Sequence, residues 1–168
     1  VELVLCFVVA EWINWVAHLV KHRVPWLWTF HLQHHVETRY NTTLTLHTHG
    51  LEVVFTGVLM ALTLVACGFS RVAIDAFLLA YYVANLYKHC SARMSLGPLD
   101  WIIVSPAFHR VHHARHEDAN FGSVLTLWDV VFRTAKWVKD EDAWALELGT
   151  PTQEPFGFVD EMLAFVRR

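Results

Sequence analysis

The sequence predicts an all-α integral membrane helical bundle with a cytoplasmic helical cap, and three observations predict it. Hydrophobic residues make up 55% and charged residues 17%, with a mean hydropathy of +0.33, a balance more apolar than a water-soluble domain needs. The apolar residues gather into long runs, and the lysines and arginines avoid one end of those runs. With 168 residues the chain is read as one domain, 1–168.

The first run, Val1 to about Val20, reads as a helix that ends in Lys21, His22 and Arg23, with Pro25 as its stop signal. Leu51 to Gly68 is a second apolar run, Gly68-Phe69-Ser70-Arg71 a turn, and Val72 to Tyr87 a third run returning to Lys88. This pattern predicts a transmembrane hairpin whose arms lie near the lower limit of about 17 residues for a span. Of the 13 Lys and Arg, only Arg71 lies at the hairpin tip. The positive-inside rule therefore places the other end in the cytoplasm, either of a bacterial inner membrane or of the endoplasmic reticulum. Because the chain opens at Val1 inside an apolar run, further spans are expected upstream. Trp12, Trp15, Trp26 and Trp28 read as interface anchors, and Val159 to Arg168 as a short terminal helix.

Charge and cysteine exclude several classes. A net charge of -3 offers no general attraction to nucleic acid. Cys6, Cys67 and Cys90 stand far apart and suggest neither a disulfide framework nor a thiolate metal site.

Histidine is the anomaly, with twelve in the chain, mostly clustered at the predicted cytoplasmic end. His18 and His22 have i, i+4 spacing, which puts both rings on one helix face. That pair alone fits interfacial histidines equally well. His31, His34 and His35 form an H-x-x-H-H triplet, and His109, His112 and His113 repeat it beyond the hairpin. Imidazoles packed this densely without a common partner would leave many buried nitrogens to satisfy. His89 sits alone at the end of the third run, one turn after Asn85. These candidates exceed what one ion takes and suit a dinuclear centre with four or five ligands to each ion. Imidazole suits iron, copper, nickel and zinc better than magnesium or calcium. Redox chemistry selects iron, with zinc as a possible substitute, because zinc does not change oxidation state.

Glu11-Trp-Ile-Asn-Trp-Val-Ala-His18, Val24-Pro-Trp-Leu-Trp-Thr-Phe-His31-Leu-Gln-His-His, His49-Gly-Leu-Glu, Leu96-Gly-Pro-Leu-Asp-Trp-Ile-Ile-Val-Ser-Pro-Ala-Phe-His109-Arg-Val-His-His and Asn120-Phe-Gly-Ser-Val-Leu-Thr-Leu-Trp-Asp129 together resemble the fatty acid hydroxylase/sterol desaturase superfamily. The resemblance covers roughly residues 8–135. It implies a two-iron centre, dioxygen as co-substrate, and hydroxylation or desaturation of a sterol or fatty-acyl type lipid. It also implies His18, His22, His31, His34, His35, His89, His109, His112 and His113 as the metal ligands. Three positions depart from the usual pattern: Leu19 where Arg is common, Glu11 where Asp is common, and Cys-Ser after His89.

An outer shell is expected from His49, which matches a histidine the superfamily often carries, from Asn85, and from His116, with solvent as the alternative for His116. Glu11 and Asn14 share the His18 face and are positioned to accept a second imidazole N–H. No haem, flavin or dinucleotide signature appears, so electrons are expected from a partner protein such as a cytochrome, ferredoxin or reductase. Two other classes fit part of the pattern. A membrane metal-binding or transport protein would place ligands inside the spans, whereas these lie at the span ends. A membrane zinc hydrolase would need an acid/base carboxylate, for which only Glu37 and Glu117 stand near the triplets.

Overall fold

The computed structural model describes residues 1–151, so the expected helix from Val159 to Arg168 lies outside the described residues. The described part is helical, with two isolated β-bridges and no strand. Helix α1 spans Glu2–Arg23 and ends at Val24, whose extended backbone is what a residue before proline prefers. Pro25 then opens α2, Pro25–His35, at the position where its missing N–H costs nothing. Helix α3, Gly50–Ala66, is capped by the His49 ring, which accepts from Leu51 N. Gly68 turns the chain at φ 78°, and Ser70 caps α4, Arg71–Lys88, by accepting from Ala73 N. Helices α5, Pro106–His112, α6, Leu127–Val131, and α7, Asp140–Ala145, follow, with 3-10 turns at Thr42–Leu46 and Gly97–Trp101.

The hairpin of α3 and α4 packs on α1. Cys6, Ala10 and Ile13 of α1 meet Met60 and Leu64 of α3 and Ala73 and Phe77 of α4 in one buried cluster. Ala10 and Ala73 carry small side chains, which let the helix backbones approach. The Ser70 amide donates to Glu2 Oε1 at 2.6 Å, so the start of α1 lies at the hairpin tip and its end lies with the histidines. Each arm touches α1 more than it touches the other arm, leaving a cleft between α3 and α4.

Helix α1 is long and apolar enough to cross a membrane. Helix α3 is equally apolar but has 17 residues, about 26 Å at about 1.5 Å per residue, near the lower limit for a span. The outer faces of the hairpin are apolar and exposed: Val54, Phe55, Leu62 and Val65 on α3, and Val72, Leu79 and Val83 on α4, are 49–74% exposed. An apolar belt this broad is disfavoured in water and suits a lipid environment. Two of the expected interface anchors, Trp12 and Trp26, are exposed, but Trp15 is buried and donates from Nε1 to Asp129 at 3.0 Å. Its helix face turns towards α6 instead of lipid, a placement that only tertiary packing decides.

Candidate metal centre

Four chain segments meet at the end of the bundle away from the hairpin tip. The last two turns of α1 carry His18 and His22, α2 carries His31, His34 and His35, the C-cap of α4 is His89, and α5 with its C-cap carries His109, His112 and His113. The nine rings separate into two groups, His18, His22, His31, His35 and His112 in one and His34, His89, His109 and His113 in the other. Within each group the potential ligand atoms lie within 4.8 Å of one another. Each triplet is divided. The first sends its outer pair to the group of five and His34 to the group of four, and the second sends His112 to the group of five and its outer pair to the group of four.

The outer nitrogens are held by fixed acceptors. His18 Nδ1 donates to Phe121 O at 2.8 Å, His112 Nδ1 to Ala119 O at 2.7 Å, His89 Nδ1 to Asn85 O at 2.9 Å, and His34 Nδ1 to His47 O at 3.3 Å. His31 Nδ1 lies 2.9 Å from Glu52 Oε1. Carbonyl and carboxylate oxygens only accept, so these rings carry their proton on Nδ1 and, when neutral, a bare lone pair on Nε2. Burial pushes the proton affinity of the His35, His112 and His113 rings well below the ordinary histidine range and that of His34 down to about 3. Neutral rings are the form that binds metal.

His89 Nε2 lies 3.0 Å from Nε2 of His109, a ring whose Nδ1 has no partner among the described residues and which can therefore donate across that gap. His18 and His31 are both held through Nδ1, so their inward Nε2 atoms face each other at 3.0 Å without a proton to share. Lone pairs at that distance repel unless a cation lies between them. Two nitrogens each about 2.1 Å from one ion at a right angle would stand about 3.0 Å apart. His22 Nε2, His35 Nε2 and His112 Nε2 are buried with no hydrogen-bond partner among the described residues. The donor set fits two metal ions.

The surrounding frame holds the acceptors in place. Asp129, fully buried, accepts from Phe121 N at 2.9 Å, Gly122 N at 2.7 Å, Trp15 Nε1 at 3.0 Å and Thr134 Oγ1 at 2.6 Å. A Cβ on Gly122 would stand 2.5 Å from Leu125 O, so only glycine lets the loop close on Asp129. Asn120 takes the left-handed conformation at φ 61° and bridges Phe108 O and the Lys136 backbone, which shapes the loop that presents Ala119 O and Phe121 O.

The expected outer-shell residues have different places. Glu11 does not meet an imidazole: its Oε2 accepts from Val124 N at 2.9 Å and Leu125 N at 2.8 Å, so it braces the same loop that Asp129 holds. Asn14 is buried and lines the cavity described below. Asn85 acts on His89 through its backbone oxygen, while its side-chain amide donates to Tyr81 O at 2.8 Å. His49 is the buried cap of α3 and packs on Phe30, and His116 is exposed. Glu37 accepts from Arg39 N and Glu117 pairs with Lys136, so both are committed elsewhere.

Two charged partners escaped the sequence reading. Glu52 accepts from Lys21 Nζ at 2.7 Å as well as facing His31, and its one signal was a charge in the first turn of an apolar helix, three residues after His49. Lys88 is 4% exposed although it stands at a helix end, where water is normally within reach.

A cavity of about 410 Å³ leads from the histidines into the cleft between α3 and α4. Its metal end is lined by His18, His31, His34, His89 and His109, and its far end by Met60, Leu64, Ile74, Phe77 and Leu78. Exposed Val53, Gly57 and Tyr82 line it where the cleft opens sideways.

Residues 3–134 match the family described as Fatty acid hydroxylase. The chain is 32% identical over 145 residues to alkylglycerol monooxygenase of Xenopus tropicalis, covering 83% of this chain and 31% of that protein. It is 32% identical over 142 residues to ornithine lipid hydroxylase OlsE of Rhizobium tropici, 79% and 41% respectively. Very-long-chain aldehyde decarbonylase GL1-1 of Oryza sativa subsp. indica is 29% identical over 163 residues, 90% and 25%. The chain thus spans well under half the length of these curated relatives. No solved structure matches it.

Proposed function

We propose, from the premise that this chain belongs to the fatty acid hydroxylase family, that it is the catalytic part of a membrane-bound lipid oxygenase that hydroxylates or desaturates an aliphatic C–H bond. The reading rests on one observation above all: bare imidazole nitrogens converge in two groups at the mouth of an apolar cavity that opens sideways from the bundle. The names of the relatives, a monooxygenase and a lipid hydroxylase among them, support the same chemistry. In hydroxylation one oxygen atom of dioxygen enters the C–H bond and the other leaves as water, with two electrons from a donor protein and two protons from solvent. Desaturation removes a second hydrogen instead.

The nine histidines are the proposed ligands of two iron ions, which when bound supply reductive activation of dioxygen. The remaining steps belong to the protein. Carbonyl oxygens of Asn85, Ala119 and Phe121 and the Glu52 carboxylate fix ring orientation through Nδ1, which keeps Nε2 of His89, His112, His18 and His31 aimed inward. Lys21 neutralises Glu52, so that carboxylate orients His31 rather than moving a proton. The apolar far end takes an aliphatic chain and excludes water from the reacting carbon.

Lipid mass spectrometry tests the activity. Cells making the protein, with a reductase present, are expected to accumulate a lipid heavier by one oxygen atom or lighter by two hydrogen atoms. A lipid profile equal to that of the empty vector, with metal content full, sinks the assignment.

The proposed orientation puts the histidine end in the cytoplasm and the hairpin tip across the bilayer. Cys67 is exposed at the tip and Ser95 at the other end. A membrane-impermeant thiol reagent supplied on the non-cytoplasmic side of the membrane is expected to label Cys67, and to miss Ser95→Cys in a Cys67→Ser, Cys90→Ser background. Labelling of both from one side means that the hairpin does not cross.

A further inference from the structure

Lys88 is the one charged group lining the cavity that the metal-centre frame does not absorb. Lysine at the end of a membrane helix ordinarily extends its ammonium to water, yet this one is 4% exposed and lines the cavity. Among the described residues its ammonium makes no hydrogen bond or ion pair. The carboxylates whose field reaches it are Glu11 and Asp129, but neither makes an ion pair with it: Asp129 accepts from four donors, and Glu11 places Oε2 on the Val124 and Leu125 amides while its buried Oε1 has no hydrogen-bond partner among the described residues. The other lysine on the cavity wall, Lys21, is paired with Glu52. Lys88 is thus a buried cation with no anion in contact with it, only the Glu11 charge at longer range, and a contacting anion would lower the cost of burying it.

Its position along the cavity says which part of a ligand would do so. Lys88 precedes His89, at the metal end, and the backbone there is pinned by the Tyr40 hydroxyl, which donates to Lys88 O at 2.5 Å. The walls become apolar only beyond it, at Met60, Leu64 and Phe77. A chain threaded from this end lays its tail towards the hairpin tip and leaves its polar end beside Lys88.

We propose that Lys88 binds the anionic oxygen group, carboxylate or phosphate, of a lipid whose single aliphatic chain fills the cavity, so that the carbons next to that group lie against the histidines. This rests on the cavity being the lipid site, and it adds the class of head group and the end of the chain that is attacked. A charge-assisted hydrogen bond in a desolvated setting supplies the preference, and loss of the cation removes it.

The test is equilibrium binding to the purified, metal-loaded full-length protein in neutral detergent, without dioxygen or reductant. Hexadecanoate, hexadecyl phosphate and hexadecanol share a chain and differ in head group. The wild type is expected to bind at least one of the two anions about tenfold more tightly than hexadecanol. Lys88→Met should bring that ratio to about one while leaving hexadecanol affinity and metal content unchanged, and Lys88→Arg should keep most of it. An absent preference in the wild type, or a preference that survives Lys88→Met, overturns the role of Lys88 while chain binding persists. If no amphiphile binds, the cavity is not the lipid site, and both readings fall.

Discussion

His112→Ala is expected to lower turnover by at least about a thousandfold while the protein stays inserted in the membrane. The ring belongs to the group of five, its Nε2 is buried without a partner among the described residues, and its Nδ1 is fixed on Ala119 O. Alanine removes a proposed ligand and leaves a void open to water. Loss of an outer partner of a metal ligand alone typically costs about 10- to 100-fold, and loss of the ligand itself costs more. The packing of α1 against the hairpin lies towards the tip, at Cys6, Ala10, Leu64 and Phe77, so insertion does not depend on this ring. Elemental analysis adds a sharper expectation. A group of five retains four imidazoles after one loss, whereas a group of four retains three. His109→Ala should therefore shed more metal than His22→Ala. Turnover near that of the wild type in His112→Ala, or equal metal loss in the other two variants, would count against the division into two sites.

Asp129→Ala should be the most damaging substitution among those that touch no proposed ligand. It leaves two backbone amides, the Trp15 indole and the Thr134 hydroxyl without their acceptor inside a buried site. Each orphaned buried donor costs about 1–3 kcal/mol, so a loss of at least about 3 kcal/mol is expected, with an apparent melting temperature lower by on the order of 10 °C. The loop it holds presents Phe121 O to His18 and Ala119 O to His112, so metal content should fall with stability. Asp129→Asn keeps an acceptor oxygen and should lose less. Thermal unfolding followed in detergent, with metal analysis on the same samples, checks both parts. An unchanged melting temperature and full metal content in Asp129→Ala would mean that the loop is held by something else.

Much of this protein was legible in the chain itself. The apolar runs, with Pro25 and the Gly68-Phe69-Ser70-Arg71 turn between them, marked out α1, α3 and α4, because backbone geometry at proline and glycine is local. The H-x-x-H-H spacing told which rings share a helix surface, since successive residues turn by roughly 100° around a helix. That turn puts His31 and His35 nearly in line and His34 off to one side, but does not say which group each ring joins. The division of each triplet depends on how α2 and α5 face one another, and that orientation comes from tertiary packing. The outer partners were equally beyond reach: Phe121 O is 103 residues from His18, and Glu52 is 21 from His31. No local spacing encodes such pairs. Glu11 matched an imidazole partner by helical register and instead braces a loop 113 residues away. The sequence determined which nine histidines the structure brings together and which apolar runs form the three long helices, because both follow from residue type and near-neighbour spacing. The division of the histidines into two groups, the acceptors that aim their rings and the placement of Lys88 in a cavity came from the tertiary structure alone, because each is a meeting of segments that the chain keeps far apart.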